Sequence, residues 1–148
     1  MGVLDKLMLF AAGPNAESKL PKPPTEILKK ILVAEADSVL SSQYSQILKT
    51  RGCEVQTVAN GSEALNVILT FRPDMVLIDL NLPIMDGKEM LHHMRAIPEY
   101  KTTPVLVIAD KGDIDTIRQV KLYDGAKGFL IKENVTPEQT IATLLDLV

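Results

Sequence analysis

The 148-residue chain contains one cysteine, Cys53, so no intramolecular disulfide can form. A lone thiol at the head of an apolar strand is expected to be packed and reduced, which points to a cytoplasmic protein. No apolar run approaches the ~20 residues that a membrane-spanning helix needs. A basic stripe is also missing: the net charge is -3, with both signs intermixed, which argues against a nucleic-acid footprint and leaves proteins and small ions as partners. Neither a G-x-x-x-x-G-K-[ST] loop nor a G-x-G-x-x-G turn occurs, which removes the usual nucleotide-binding enzymes. His92 and His93 are adjacent on a helical stretch, point in different directions and so make no chelating pair. No Ser or Cys has an identifiable base. An independent enzyme is therefore not expected. No internal repeat is visible.

What is present divides into regions. Residues 1–12 hold a broad apolar stripe of Val3, Leu4, Leu7, Met8, Phe10 and Ala11 opposite Asp5 and Lys6, a short amphipathic segment that is marginal as a helix on its own. Docking on its own domain, on a second copy or on a protein partner is the leading expectation, disorder comes second, and a membrane-surface role is the least favoured. It lacks the positive region and cleavage site of a secretory signal, and Lys6 stands where a myristoylation motif after Gly2 needs Ser or Thr. Residues 13–25, with Pro14, Pro21, Pro23 and Pro24, read as an extended linker. A single domain is predicted over residues 26–148.

Within that domain, apolar runs at Ile31 to Ala34, Val55 to Val58, Met75 to Ile78, Val105 to Ile108 and Gly128 to Ile131 alternate with helical spacings. Val39, Leu40, Tyr44, Ile47 and Leu48 form one stripe, and Ala64, Leu65, Ile68 and Leu69 another. Thr136, Pro137 and Gln139 read as a capping box that opens a last helix carrying Ile141, Leu144 and Leu145. Five βα units with right-handed crossovers predict a doubly wound parallel α/β sheet of flavodoxin-like order 2-1-3-4-5. In that order the carboxyl ends of strands 1, 3, 4 and 5 meet on one edge. They deliver Glu35, Asp79, Ala109 and Lys132.

The run VLIDLNLPIMDG makes Asp79 the focus, because it sets a carboxylate where a buried strand gives out into a loop forced by Pro83 and the Asp86-Gly87 pair. Two converging carboxylates repel unless a cation joins them, and a hard divalent ion such as magnesium suits oxygen ligands. Lys132 adds a fixed positive charge suited to an anionic group placed on one carboxylate, as in an acyl phosphate. The chemistry this implies is in-line attack of the Asp79 carboxylate on a phosphoryl donor.

From about Ile27 to Val148 the chain resembles the response-regulator receiver domain of two-component signalling. The resemblance rests on ILVAEAD at the first strand and acidic cluster, VLIDLNLPIMDG at the phosphoacceptor strand and GFLIK at the fifth strand. It implies that Asp79 takes a phosphoryl group from a histidine kinase or phosphotransfer protein and that Lys132 contacts it. It also implies that magnesium is held by Glu35, Asp79 and the backbone carbonyl of Asn81. The family's docking face would here include Ile114, Arg118, Tyr123 and Lys127, although a solvated helix face accounts for the same residues. No output domain follows the last helix, so a stand-alone receiver acting on a downstream protein by contact is expected.

Three departures mark the chain as atypical. Where the family has a second acid there is Ala36, and the next acid, Asp37, reads as a helix N-cap. Losing a carboxylate ~4 Å from a dication removes roughly 2 kcal/mol of attraction even in water, about thirtyfold in affinity. Where the family has a switch hydroxyl there is Ala109, so that hydrogen bond cannot form, and the aromatic switch partner Phe129 is expected to be plain core. Where the family has proline after the lysine there is Glu133, expected to reroute the Lys132 loop and weaken its hold on a phosphate. Two readings follow: a working receiver, whose only catalysis is self-phosphorylation and its reversal, or a pseudo-receiver acting as a phosphorylation-independent interaction or localisation module.

Overall fold

A computed structural model describes residues 28–147, and the expectations for residues 1–12 and 13–25 lie outside the described residues. Five parallel strands, β1 (Lys30–Ala34), β2 (Glu54–Val58), β3 (Met75–Asp79), β4 (Val105–Ala109) and β5 (Gly128–Ile131), form one sheet in the order β2-β1-β3-β4-β5. That is the predicted topology. The crossovers are α1 (Ser38–Thr50), α2 (Gly61–Phe71), α3 (Gly87–Arg95) and α4 (Ile114–Tyr123), and α5 (Pro137–Leu145) closes the domain.

Because side chains alternate along a strand, the apolar runs feed two cores. Leu32, Ala34, Val76, Ile78, Val105 and Val107 pack with Ala64, Ile68, Met90, Met94, Ile117 and Val120 of α2, α3 and α4. On the other face Ile31, Val33, Met75, Leu77, Leu106 and Ile108 pack with Tyr44 and Leu48 of α1 and Ile141 and Leu144 of α5. The central strands β3 and β4 are buried at every residue, whereas the edge strand β2 is largely exposed and the edge strand β5 is mostly half-buried. Cys53 packs against the second core but is only partly buried.

Two helical stripes are narrower than the sequence suggests. Val39 and Leu69 are exposed, because at 100° per residue each falls off the arc that faces the sheet. The helix starts are held by side chains as expected. Asp37 Oδ1 accepts from the amides of Val39 at 2.9 Å and Leu40 at 3.2 Å, and the Thr136–Gln139 box closes in both directions. Asp86 caps α3 through the Glu89 amide at 2.9 Å, so the Asp86-Gly87 pair ends the loop and starts the helix rather than lying within the turn. A further anchor is the Tyr100 hydroxyl, which donates to the Ile68 carbonyl at 2.9 Å and ties the β4 approach to α2.

Candidate functional site

The strand registers bring the carboxyl ends together: Ala34 pairs with Ile78, Asp79 with Ile108, and Ala109 with Ile131. Glu35 follows β1, Asp79 ends β3, and Lys132 follows β5, so one sheet edge collects three charged groups from segments distant in sequence. Lys132 Nζ lies 2.6 Å from Asp79 Oδ2 and 2.9 Å from Glu35 Oε1. The remaining oxygens are met by backbone: Asn81 N–H donates to Asp79 Oδ1 at 2.9 Å, and Asp37 N–H donates to Glu35 Oε2 at 3.0 Å.

Glu35 and Asp79 are each 2 % exposed, while the lysine side chain is 25 % exposed. Burial raises the Glu35 pKa, reinforced by the charge of Asp79 and opposed by the Asp37 amide and Lys132. For Lys132, burial alone would lower the pKa, but the close contacts and charges of Asp79 and Glu35 together outweigh it and the ammonium is held more firmly than usual. The site is therefore a carboxylate–ammonium–carboxylate triad.

Two glycines let the loops close around it. At Gly87 a Cβ would lie 2.3 Å from the Asp79 carbonyl oxygen and 2.8 Å from the Leu80 Cα, so only glycine allows α3 to start against the end of β3. Gly61 donates its N–H to the Met85 carbonyl at 3.0 Å, and a Cβ there would sit 2.3 Å from that oxygen. Between them Ile84 has φ 68°, and the Met85 amide bonds the Pro83 carbonyl at 2.7 Å, which makes a tight turn around a β-branched residue that is 84 % exposed.

The departures have definite structural outcomes. Ala36 is exposed and the Asp37 carboxylate is committed to the α1 cap, so no second acid from this loop joins Glu35. Ala109 is fully buried and brings no polar side-chain atom to the site. Phe129 is 38 % exposed, not core, because it alternates outward on an edge strand, with Lys121 Nζ 5.7 Å from its ring centre. The Glu133 carboxylate is 3.8 Å from Lys111, in a 3-10 turn over Lys132–Asn134 that contains no cis peptide. On the expected docking face Ile114 is 54 % exposed, Lys127 is exposed and Arg118 lies 3.6 Å from Asp115; the Tyr123 side chain lies outside the described residues.

As a test of fit for magnesium, Glu35 and Asp79 are hard oxygen donors, and buried Glu35 Oε1 has no hydrogen bond despite its ion pair. Among the described residues no group of three or more His, Cys, Asp or Glu converges as a metal cluster. The donor chemistry fits a divalent cation with a short ligand set, and the Lys132 ammonium compensates one of the two carboxylate charges.

Sequence reasoning missed two polar connections. Asn81 Nδ2 donates to Asp110 Oδ2 at 2.8 Å and to Asp113 Oδ2 at 3.2 Å. His92 Nδ1 lies 3.1 Å from Asp124 Oδ1, beside Arg95, which donates to the carbonyls of Asp124, Tyr100 and Gly125. The first had a signal: the D-x-x-D spacing of Asp110 and Asp113 directly after a buried strand marks a cap that faces the Asp79 loop.

A doubly wound sheet in this order, with an aspartate at the end of β3 and a lysine after β5, defines a receiver-type α/β domain. The chain belongs to the response regulator receiver domain family, whose sequence profile matches residues 31–144. It is 32 % identical over 109 residues to the transcriptional regulatory protein PrrA of Mycobacterium bovis, covering 74 % of this chain and 46 % of that protein. It is also 32 % identical over 109 residues to the sporulation initiation phosphotransferase F of Bacillus subtilis, covering 71 % of this chain and 86 % of that protein. Against the crystallised chemotaxis response regulator CheY4 of Vibrio cholerae the TM-score is 0.75 at 30 % identity, over 82 % of this chain and 100 % of that one. The chain thus spans less than half the length of PrrA but the whole of a chemotaxis regulator. Among the described residues no helix is long and apolar enough to cross a membrane.

Proposed function

We propose that Asp79 accepts a phosphoryl group from a histidine kinase or phosphotransfer protein and that the receiver passes the signal to a downstream protein by contact, in the cytoplasm. The observation that carries this reading is the placement of Asp79: buried at the end of β3, held at one oxygen by the Asn81 amide and at the other by Lys132 Nζ. In the step, an Asp79 carboxylate oxygen attacks phosphorus in line, the P–N bond of a phosphohistidine breaks, and the imidazole leaves with its electron pair and takes up a proton. Lys132 exchanges its bond to Asp79 for one to the phosphoryl group. Magnesium, when held by Glu35, Asp79 and the Asn81 carbonyl, supplies further charge neutralisation on the phosphoryl oxygens.

A second reading, a pseudo-receiver whose partners recognise its surface without phosphorylation, is favoured by two observations. Ala109 brings no hydroxyl to the site, and Asp37 Oδ1 is taken up by the helix cap. The experiment that separates the two is incubation with magnesium and acetyl phosphate, read promptly by intact mass. A single magnesium-dependent phosphoryl adduct, lost in Asp79→Asn, is expected. No adduct, with beryllofluoride and magnesium also failing to perturb Asp79, would leave the pseudo-receiver reading.

A further inference from the structure

The Asp79 loop and the start of α4 are joined by one side chain. Asn81 donates its backbone N–H to Asp79 Oδ1 at 2.9 Å, and its side-chain nitrogen reaches both Asp110 and Asp113. Only the nitrogen end of the amide can donate to two carboxylates, so the orientation of this side chain follows from its partners. Asp113 Oδ2 also accepts from the Asp110 amide at 3.0 Å and immediately precedes Ile114, the first residue of α4. These bonds run from a neutral donor to carboxylate acceptors at the exposed surface of the two loops. The sheet-side route, by contrast, has nothing polar to offer at Ala109.

We propose that the Asn81 bridge to Asp110 and Asp113 is the element that couples the state of Asp79 to α4, in place of a hydroxyl at position 109. The inference rests on the reading that Asp79 accepts a phosphoryl group. A group added to Asp79 removes or redistributes the charge on Oδ1 that holds the Asn81 amide, and it places new negative charge near the loop that carries Asp110 and Asp113. A displacement of the Asn81 backbone is passed through its short side chain to Asp113 and so to the first turn of α4, where Ile114 and Arg118 face solvent. Sub-ångström changes at a site become discrete shifts elsewhere when a defined bonded element links the two.

The test uses the full chain, uniformly 15N-labelled, with magnesium and beryllofluoride as the phosphoryl mimic. Amide shifts of Glu35 and Leu80 report the site, and those of Ile114, Asp115 and Thr116 report α4. In the wild type both sets are expected to move. In the Asp110→Ala/Asp113→Ala double variant the site set moves as before and the α4 set loses its response. Asp115→Ala, which removes one carboxylate from the same helix end without touching Asn81, keeps both, with α4 read at Ile114 and Thr116. Should the double variant fail to fold, Asp113→Ala alone removes the bond that leads from Asn81 into α4 while Asp110 keeps its own, and the α4 response must still fall. Persistence of the α4 response in these variants, its loss in Asp115→Ala, or an unresponsive α4 beside a shifted site in the wild type would each overturn the coupling. An unresponsive site in the wild type would overturn the phosphoacceptor reading and the coupling with it.

Discussion

Replacing Lys132 by Ala removes the one ammonium shared by two carboxylates that are each 2 % exposed. Breaking a buried ion pair from one side costs roughly 3–5 kcal/mol, because the remaining charge stays buried without a partner. Since the lysine side chain is 25 % exposed, water can reach part of the space it leaves, and the lower end applies: about 3 kcal/mol. For a domain of this size that corresponds to a fall in Tm of roughly 10 °C. The cost should depend on pH in a defined direction, measured by urea denaturation in the presence of a chelator. Glu35 has its folded-state pKa raised by burial, so its contribution is complete below the ordinary carboxylate range and is lost as pH rises through the folded value. Lys132 has its folded-state pKa raised by its two partners, so its contribution is complete below the ordinary 10.5 and is lost only in strong alkali. Without the lysine, Glu35 is pushed up further, and the variant should be much less destabilised at pH 5 than at pH 8. Adding Glu35→Gln to Lys132→Ala should recover about half of the loss or more, because the two positions share one interaction. A cost below about 0.5 kcal/mol, an equal cost at both pH values, or no recovery in the double variant would refute the argument that the triad is a mutually dependent buried unit.

Three further outcomes are expected. Gly87→Ala should lower stability by roughly 2–4 kcal/mol and shift the Asp79 resonances, because its methyl would meet backbone atoms of Asp79 and Leu80 that cannot rotate away; thermal melts and amide shifts read both effects. Ile84→Asn should stabilise by about 1 kcal/mol in urea titrations, since Asn adopts φ 68° more readily than a β-branched residue and the exposed Ile84 side chain buries almost nothing. Asp37→Ala should cost about 1 kcal/mol through the lost α1 cap and leave magnesium-dependent adduct formation unchanged; impaired adduct formation would show that Asp37 also serves the site.

Much of this protein is written in local pattern. Five short apolar runs separated by helical spacings imply alternating βα units, and chain chirality reduces their arrangements to few, so the sheet order was legible without coordinates. The caps at Asp37 and Thr136 were legible because a cap is a contact between residues two or three apart. Asp79, Glu35 and Lys132 were legible as a group because parallel strands deliver their carboxyl ends to one edge.

Tertiary structure decided whatever depends on the direction of a side chain between elements far apart in sequence. Phe129 was expected in the core and lies partly in solvent, because whether an apolar residue on a strand is covered depends on what packs over that edge. The Glu133 carboxylate lies 3.8 Å from Lys111, a pairing between the loops after β4 and β5 that no local pattern announces. The bridge from Asn81 to Asp110 and Asp113 spans about 30 positions and exists only because β3 and β4 are neighbours whose loops leave the sheet on the same side. Periodicity reports which residues share a face and chain chirality limits how faces stack, but the pairing of polar groups across loops is set by distances that only the folded chain defines.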